Sequence, residues 1–239
     1  MMDAEIVKNE CEVIIGFEHN FLEKGVAVIP IVPFIRNAKF LTIEGHHITI
    51  PPGNVGVVTE VHFGIIISQE AIEISKDNAL DYVNGYVVAL NSRLRDDEYK
   101  KEDDSEPFAR ITDFKDAVVI SNVITKELLP HPNAATIWAS LNGKECQRGN
   151  LTDARMSVQE LIEKASNLKT LRAGDLILSG TPAGSFYVKE RDTIEIGIED
   201  IIQTKISVQK ESESIATQTS QTLLQPKKDD KIKQFMDDL

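Results

Sequence analysis

The segment TEVHFGIII (59–67) sets a carboxylate and an imidazole two residues apart in an otherwise apolar run. On an extended chain side chains alternate between faces, so Glu60 and His62 point one way while Val61 and Phe63 point the other. Between them these two residue types bind cations or move protons. Either the pair lines a site or it forms a solvated edge, and the surrounding elements must decide.

The chain of 239 residues, 41% of them hydrophobic, can bury one large core and lies well outside the composition of a disordered protein, so one principal domain is expected. A net charge of −12 repels phosphate backbones and anionic lipid, which argues against nucleic acid as a partner. Cys11 and Cys146 lie far apart with no CxxC pair, so neither a zinc motif nor a disulfide framework is indicated and a reducing compartment fits. The apolar stretch VAVIPIVPFI (26–35) is too short to span a bilayer and is broken by Pro30 and Pro33, so no membrane insertion is expected. The charged residues among the first two dozen are mostly acidic, the wrong sign for a transit peptide. The expected compartment is the cytoplasm, or the mitochondrial matrix by an internal or already removed signal.

Short β-type runs dominate to about residue 75: CEVIIGF, GVAVIPIV, HHITI and VGVVTEVHFGIII, separated by Pro or Gly. Ser75, Asp77 and Asn78 offer helix caps to the short segment ALDYV, after which GYVVAL resumes β character. The charge run RDDEYKKEDDSE (95–106) reads as a solvated loop. Asn142-Gly143 between two half-alternating runs predicts a type I′ hairpin. Ser157-Val-Gln-Glu160 is a capping box opening a helix whose Val158, Leu161, Ile162 and Ala165 share one face. GDLILSG, TIEIGI and QTKISVQ complete the strands, giving an α+β, mostly β domain over residues 1–210. A polar linker and short tail follow over 211–239. Ile232, Phe235, Met236 and Leu239 would form an apolar stripe if helical, so residues 226–239 are a candidate docking segment for a protein partner. His46-His47 alternate across a strand and His131 sits in a Pro-flanked loop, so none of the three is expected to ligate a metal.

Several of these pieces resemble, in order, the fumarylacetoacetate hydrolase family: ALDYVNGYVVALN (79–91), LNGKECQRGNLTD (141–153), SNLKTLRAGDLILSGTPAG (166–184) and VKERDTIEIGIED (188–200). The likeness runs over roughly residues 12–210, and LRAGDLILSGTPAG is similar to the family's TL-x-x-GD-x-I-x-TGTP-x-G. The resemblance implies a mixed β-roll or β-sandwich with a few short helices, commonly a homodimer. It also implies enzymes that hydrolyse or decarboxylate β-dicarbonyl acids such as acylpyruvates, fumarylacetoacetate or oxaloacetate. In these a Mg²⁺ or Mn²⁺ ion chelates two substrate oxygens and stabilises an enolate. The branch resembled is that of acylpyruvases and oxaloacetate decarboxylases.

Against that pattern the chain shows departures. Glu60-Val61-His62 stands where the family has E-x-E, so one carboxylate ligand is replaced by imidazole. Ser92, in Asn91-Ser92-Arg93, is placed at the position of the family's Asp ligand, and Arg93 and Arg95 would repel a cation. One carboxylate, one imidazole and a hydroxyl are poor ligands for hard Mg²⁺. A softer Mn²⁺ or Zn²⁺ site of Glu60, His62 and Asp96 or Asp97 is the alternative. The lid dyad is matched only by His19 and Glu23 in GFEHNFLEKG, which would meet if that segment were helical. Arg110 takes the place of the substrate-binding Lys, whereas Ser179, Gly180, Thr181 and Pro182 retain the substrate-holding turn. The leading expectation is a catalytically impaired family member, without a cofactor, serving as a structural or accessory subunit of a larger assembly, for which a mitochondrial complex is one setting. The alternative is an active Mg²⁺- or Mn²⁺-dependent hydrolase or decarboxylase of β-dicarbonyl acids, with His19, Glu23 and Arg110 in catalysis and Glu60 and His62 on the metal.

Overall fold

The computed structural model describes residues 2–22, 25, 27–52, 56–95 and 114–211. Its spine is the antiparallel pair of two long strands, β5 (Gly56–Ile67) and β6 (Val83–Arg95), in register from Gly56↔Arg95 to Ile66↔Gly85. β1 (Val13–Glu18), β2 (Val32–Asn37), β3 (Leu41–Ile43), β7 (Val118–Ile120) and β10 (Leu176–Leu178) extend this pair into one sheet of order β2-β1-β10-β5-β6-β7-β3. β11 (Phe186–Val188) joins beside β5. β2 and β3 are the two ends of that order, yet only the 3₁₀ turn Ala38–Phe40 separates them in the chain. The sheet must therefore curl into a roll. Arg36 of β2 accordingly reaches across to donate to the Ser92 carbonyl of β6 at 2.6 Å.

A second sheet, of order β4-β13-β12-β8-β9, packs on the outside of the roll. It comprises β4 (His47–Ile50), β8 (Thr136–Leu141), β9 (Lys144–Asn150), β12 (Thr193–Ile198) and β13 (Ile202–Lys210). Alternation sorts β5 between two cores. Val57, Val61, Phe63, Ile65 and Ile67 face the second sheet with Ile194, Ile196, Ile206 and Val208. Ile66 faces the interior of the roll with Ile14, Val87, Ala89, Leu176 and Leu178, and Val7 of the helix α1 (Ala4–Glu10) plugs that end. Glu60 and His62 have the parity of Ile66, so they point into the roll toward its other end.

The mostly-β class, the capping box at Ser157 and the apolar face of α2 (Val158–Leu168) agree with the sequence reading. So does the hairpin, whose Asn142 and Gly143 both hold positive φ, 51° and 81°. Three elements differ. The strand expected over 25–32 forms instead at Val32–Asn37, an edge strand in which Pro33 removes no needed ladder bond. Residues 19–22 form no helix. The acidic N-terminal stretch holds α1, capped by the Asp3 side chain accepting from the Ile6 amide at 2.9 Å. The charge run from Asp96 onward and the tail from residue 212 lie outside the described residues.

Asp175, at the head of β10, ties the roll to its first strand. Its carboxylate, 1% exposed, accepts from the amides of Glu12 (3.0 Å), Val13 (2.9 Å) and Arg172 (2.8 Å). Asp175→Ala leaves these donors without their acceptor and should lower stability by roughly 3 kcal/mol or more, measured by urea unfolding. A change below about 0.5 kcal/mol, the range of ordinary surface substitutions, would refute this role.

Candidate functional site

The opening pair faces a site. Glu60 and His62 are both buried on the inner face of β5, with Glu60 Oε1 3.3 Å from His62 Nε2. The register of β6 adds two more side chains of the same parity. Asn91, opposite Glu60, donates from Nδ2 to Oε1 at 3.2 Å, and Arg93 donates from Nη1 to Oε2 at 2.7 Å. Both carboxylate oxygens are thus engaged, while His62 Nδ1 and Asn91 Oδ1 are buried without a hydrogen-bond partner. Burial opposes the charge on Glu60, but the hydrogen bond and field of His62, then the charge and hydrogen bond of Arg93, outweigh it. They hold the carboxyl down at about 2 against an ordinary 4.5.

Ser92 does not belong to this cluster. Strand alternation turns it to the opposite face, where its hydroxyl meets that of Thr59 at 2.9 Å. The residue of β6 that meets Glu60 is Asn91, so the expected third ligand is an amide rather than a hydroxyl. Arg93, expected to repel a cation from nearby, instead forms an ion pair with Glu60. The i, i+4 argument joining His19 to Glu23 also fails, because His19 follows β1 in the left-handed region at φ 60°. Glu23, Arg110, Asp96 and Asp97 lie outside the described residues.

A cavity of about 250 Å³ opens over the cluster, walled by Glu60, His62 and Arg93 on one side and by Gly180, Thr181 and Arg155 on another. His19 and Pro182 also line it. Of the turn residues, Ser179 is set apart. Fully buried, it accepts from the Phe63 amide at 3.1 Å and donates to the Gly180 carbonyl at 2.8 Å, so its hydroxyl anchors the turn to β5. Gly180 has φ 87°, and a Cβ there would lie 2.5 Å from the Phe17 carbonyl oxygen, so the turn closes only with glycine.

Two buried amides hold the turn against the cluster, and nothing in their sequence context marked them. Gln147 accepts from the Val61 amide at 2.8 Å and donates to Thr181 Oγ1 at 2.9 Å and to the Pro182 carbonyl at 2.6 Å. Asn20 donates to the Ser179 carbonyl at 2.7 Å and accepts from the Met156 amide at 2.9 Å. Arg155, also unmarked, donates from Nη1 to the carbonyls of His19 (3.2 Å) and Ile29 (2.6 Å). Asn91 and Arg93 did carry a signal: the alternation that pairs residues 60 and 62 pairs 91 and 93 as well.

Residues 17–209 match the fumarylacetoacetate (FAA) hydrolase C-terminal family, and the chain belongs to that family. Among its relatives, the mitochondrial oxaloacetate tautomerase of Caenorhabditis elegans is 34% identical over 198 residues, covering 81% of this chain and 91% of that protein. The mitochondrial oxaloacetate decarboxylase of Dictyostelium discoideum is 34% identical over 173 residues, 71% and 79% of the two chains. The fold is shared with a fumarylpyruvate hydrolase from Pseudomonas aeruginosa, solved with Mn²⁺ and pyruvate. That likeness has a TM-score of 0.73 at 22% identity and covers 84% of this chain and 91% of that one.

The described residues of this pocket do not fit a hard divalent cation. Among the described residues no three His, Cys, Asp or Glu side chains converge. The single carboxylate has both oxygens occupied, and the guanidinium on Oε2 already neutralises it. A cation at that position would also face Arg93, a repulsion of roughly 8 kcal/mol for a dication about 4 Å from a unit charge at an effective dielectric near 20.

Because the Glu60 carboxyl titrates lower in the folded state, its stabilisation is complete above about pH 4.5 and is lost as pH falls toward 2. The stability difference between wild type and Glu60→Gln, measured by chemical denaturation, should therefore shrink in wild type's disfavour across that window. A difference independent of pH would show that the pair does not stabilise the ionised form.

Proposed function

We propose that this chain is an enzyme acting on a small 2-oxo dicarboxylic acid of the oxaloacetate type, by proton transfer between keto and enol forms. One observation carries this reading: a buried carboxylate–imidazole pair opens onto a cavity whose lining also includes Gly180, Thr181 and Pro182 of the turn, two guanidinium groups and apolar residues such as Phe21 and Val28. A volume of about 250 Å³ suits a small metabolite better than a drug-sized ligand, for which pockets run to about 300–1,000 Å³. The two guanidinium groups supply donors for carboxylate oxygens. The relatives' names, oxaloacetate tautomerase and oxaloacetate decarboxylase, support an active enzyme over an accessory subunit.

In the tautomerisation the C3–H bond breaks with its proton passing to His62, its electron pair forms the C2=C3 bond, and the carbonyl oxygen takes up a proton from water, to which His62 then returns the one it received. We assign the exchange of the C3 proton to His62 through Nδ1, the buried ring nitrogen that has no protein partner, while Glu60 fixes the ring through Nε2. Glu60, held down at about 2, is a weak base and acts by orienting the imidazole. A second reading has one specific observation in its favour. An amide at 91 and a guanidinium at 93 in the inherited ligand set suit a scaffold that has lost its reaction, kept as an accessory subunit.

Ultraviolet absorbance follows the enol-to-keto conversion of oxaloacetate, and decarboxylation and acetylpyruvate hydrolysis can be assayed beside it. Wild type should accelerate the first above buffer, with His62→Gln slower by about 100-fold or more. A wild-type rate equal to buffer in all three assays would leave the accessory-subunit reading standing.

A further inference from the structure

The cation expected from the family resemblance and the side chains in its pocket disagree, and the disagreement has a definite chemical form. Arg93 sits on Glu60 Oε2 at 2.7 Å, lines the cavity, and keeps 22% of its side chain exposed. Apart from that bond, its N–H groups have no acceptor among the described residues. A positive group is therefore bound to the one carboxylate of the buried cluster, and it faces the ligand space.

We propose that the Arg93 guanidinium replaces the divalent cation in this pocket, so that the chain binds the adjacent carboxylate and carbonyl oxygens of a 2-oxo acid by hydrogen bonds and without metal. The ligand class rests on the function proposed above; the manner of binding is the new element. A guanidinium is planar, permanently charged and forked, and it matches two coplanar oxygens as a bidentate donor. It supplies fixed positive charge and N–H donors to a developing enolate, as an oxyanion hole does. Arg155 extends the match. Its Nη1 is pinned to the His19 and Ile29 carbonyls, while its Nε and Nη2 have no acceptor among the described residues, leaving a second cation at the cavity wall for the distal carboxylate.

Oxalate, a planar dianion with two adjacent oxygen pairs, is the probe, titrated by calorimetry into the full chain after dialysis against EDTA. Wild type should bind it, and Glu60→Gln, which frees Arg93 from its partner, should bind it at least as tightly. The double variant Glu60→Gln, Arg93→Met leaves no unpaired buried charge and should bind about 10- to 100-fold more weakly than Glu60→Gln. Mn²⁺ titrated alone and read by electron paramagnetic resonance should keep its free-ion signal with wild type. The double variant Asn91→Asp, Arg93→Ser should quench that signal saturably. Oxalate binding that requires Mn²⁺ in wild type, or a double variant binding oxalate as well as Glu60→Gln, would overturn the proposal. Neither readout needs turnover, so failure of the oxaloacetate assays alone would remove the proposed reaction and leave this binding mode intact.

Discussion

A carboxylate stays ionised inside an apolar roll only if the protein supplies what water no longer does. Glu60 is that carboxylate, and the arrangement of the site follows from its needs. Its two oxygens take three hydrogen bonds, from His62 two residues along the same strand and from Asn91 and Arg93 on the neighbouring one. Removing any of these donors would leave charge poorly compensated in a region where compensation by solvent is not on offer. The β5–β6 register is what brings them together, since slipping it by one residue would replace Asn91 and Arg93 with Ser92 and its neighbours.

The same strand pair also sets the boundary between structure and chemistry. On one face of β5 the odd-numbered apolar residues join the two sheets; on the other, apolar packing at Ile66 gives way to the polar cluster. Gln147 bridges these roles by reading the β5 backbone at Val61 and holding Thr181 and Pro182 over the cluster. The turn is therefore held over the cluster by buried, hydrogen-bonded amides, which favours a preformed site over one assembled on binding.

Family membership and pocket chemistry point in different directions, and the fold alone cannot reconcile them. The scaffold, the turn and the position of Glu60 follow the family; the side chains at 62, 91 and 93 do not supply the anionic oxygens a hard cation requires. A guanidinium in that space preserves the electrostatic role, positive charge beside developing negative charge, with different bonding.

Much was legible in the chain itself because it depends on local rules. Alternation put Glu60 and His62 on one face, the Asn-Gly pair required positive φ, the capping box opened α2, and the LRAGDLILSGTPAG stretch marked the family. What the chain could not disclose was register and closure. Placing Ser92 in the site failed because the partner opposite Glu60 is set by long-range pairing, and alternation then turns Ser92 away. Gln147, Asn20 and Arg155 were invisible for the same reason, as they reach partners 34 to 159 residues distant. Sequence by itself determined which residues share a face; only the tertiary structure decided which faces meet, because strand pairing and the curl of the sheet are settled by burial over the whole chain.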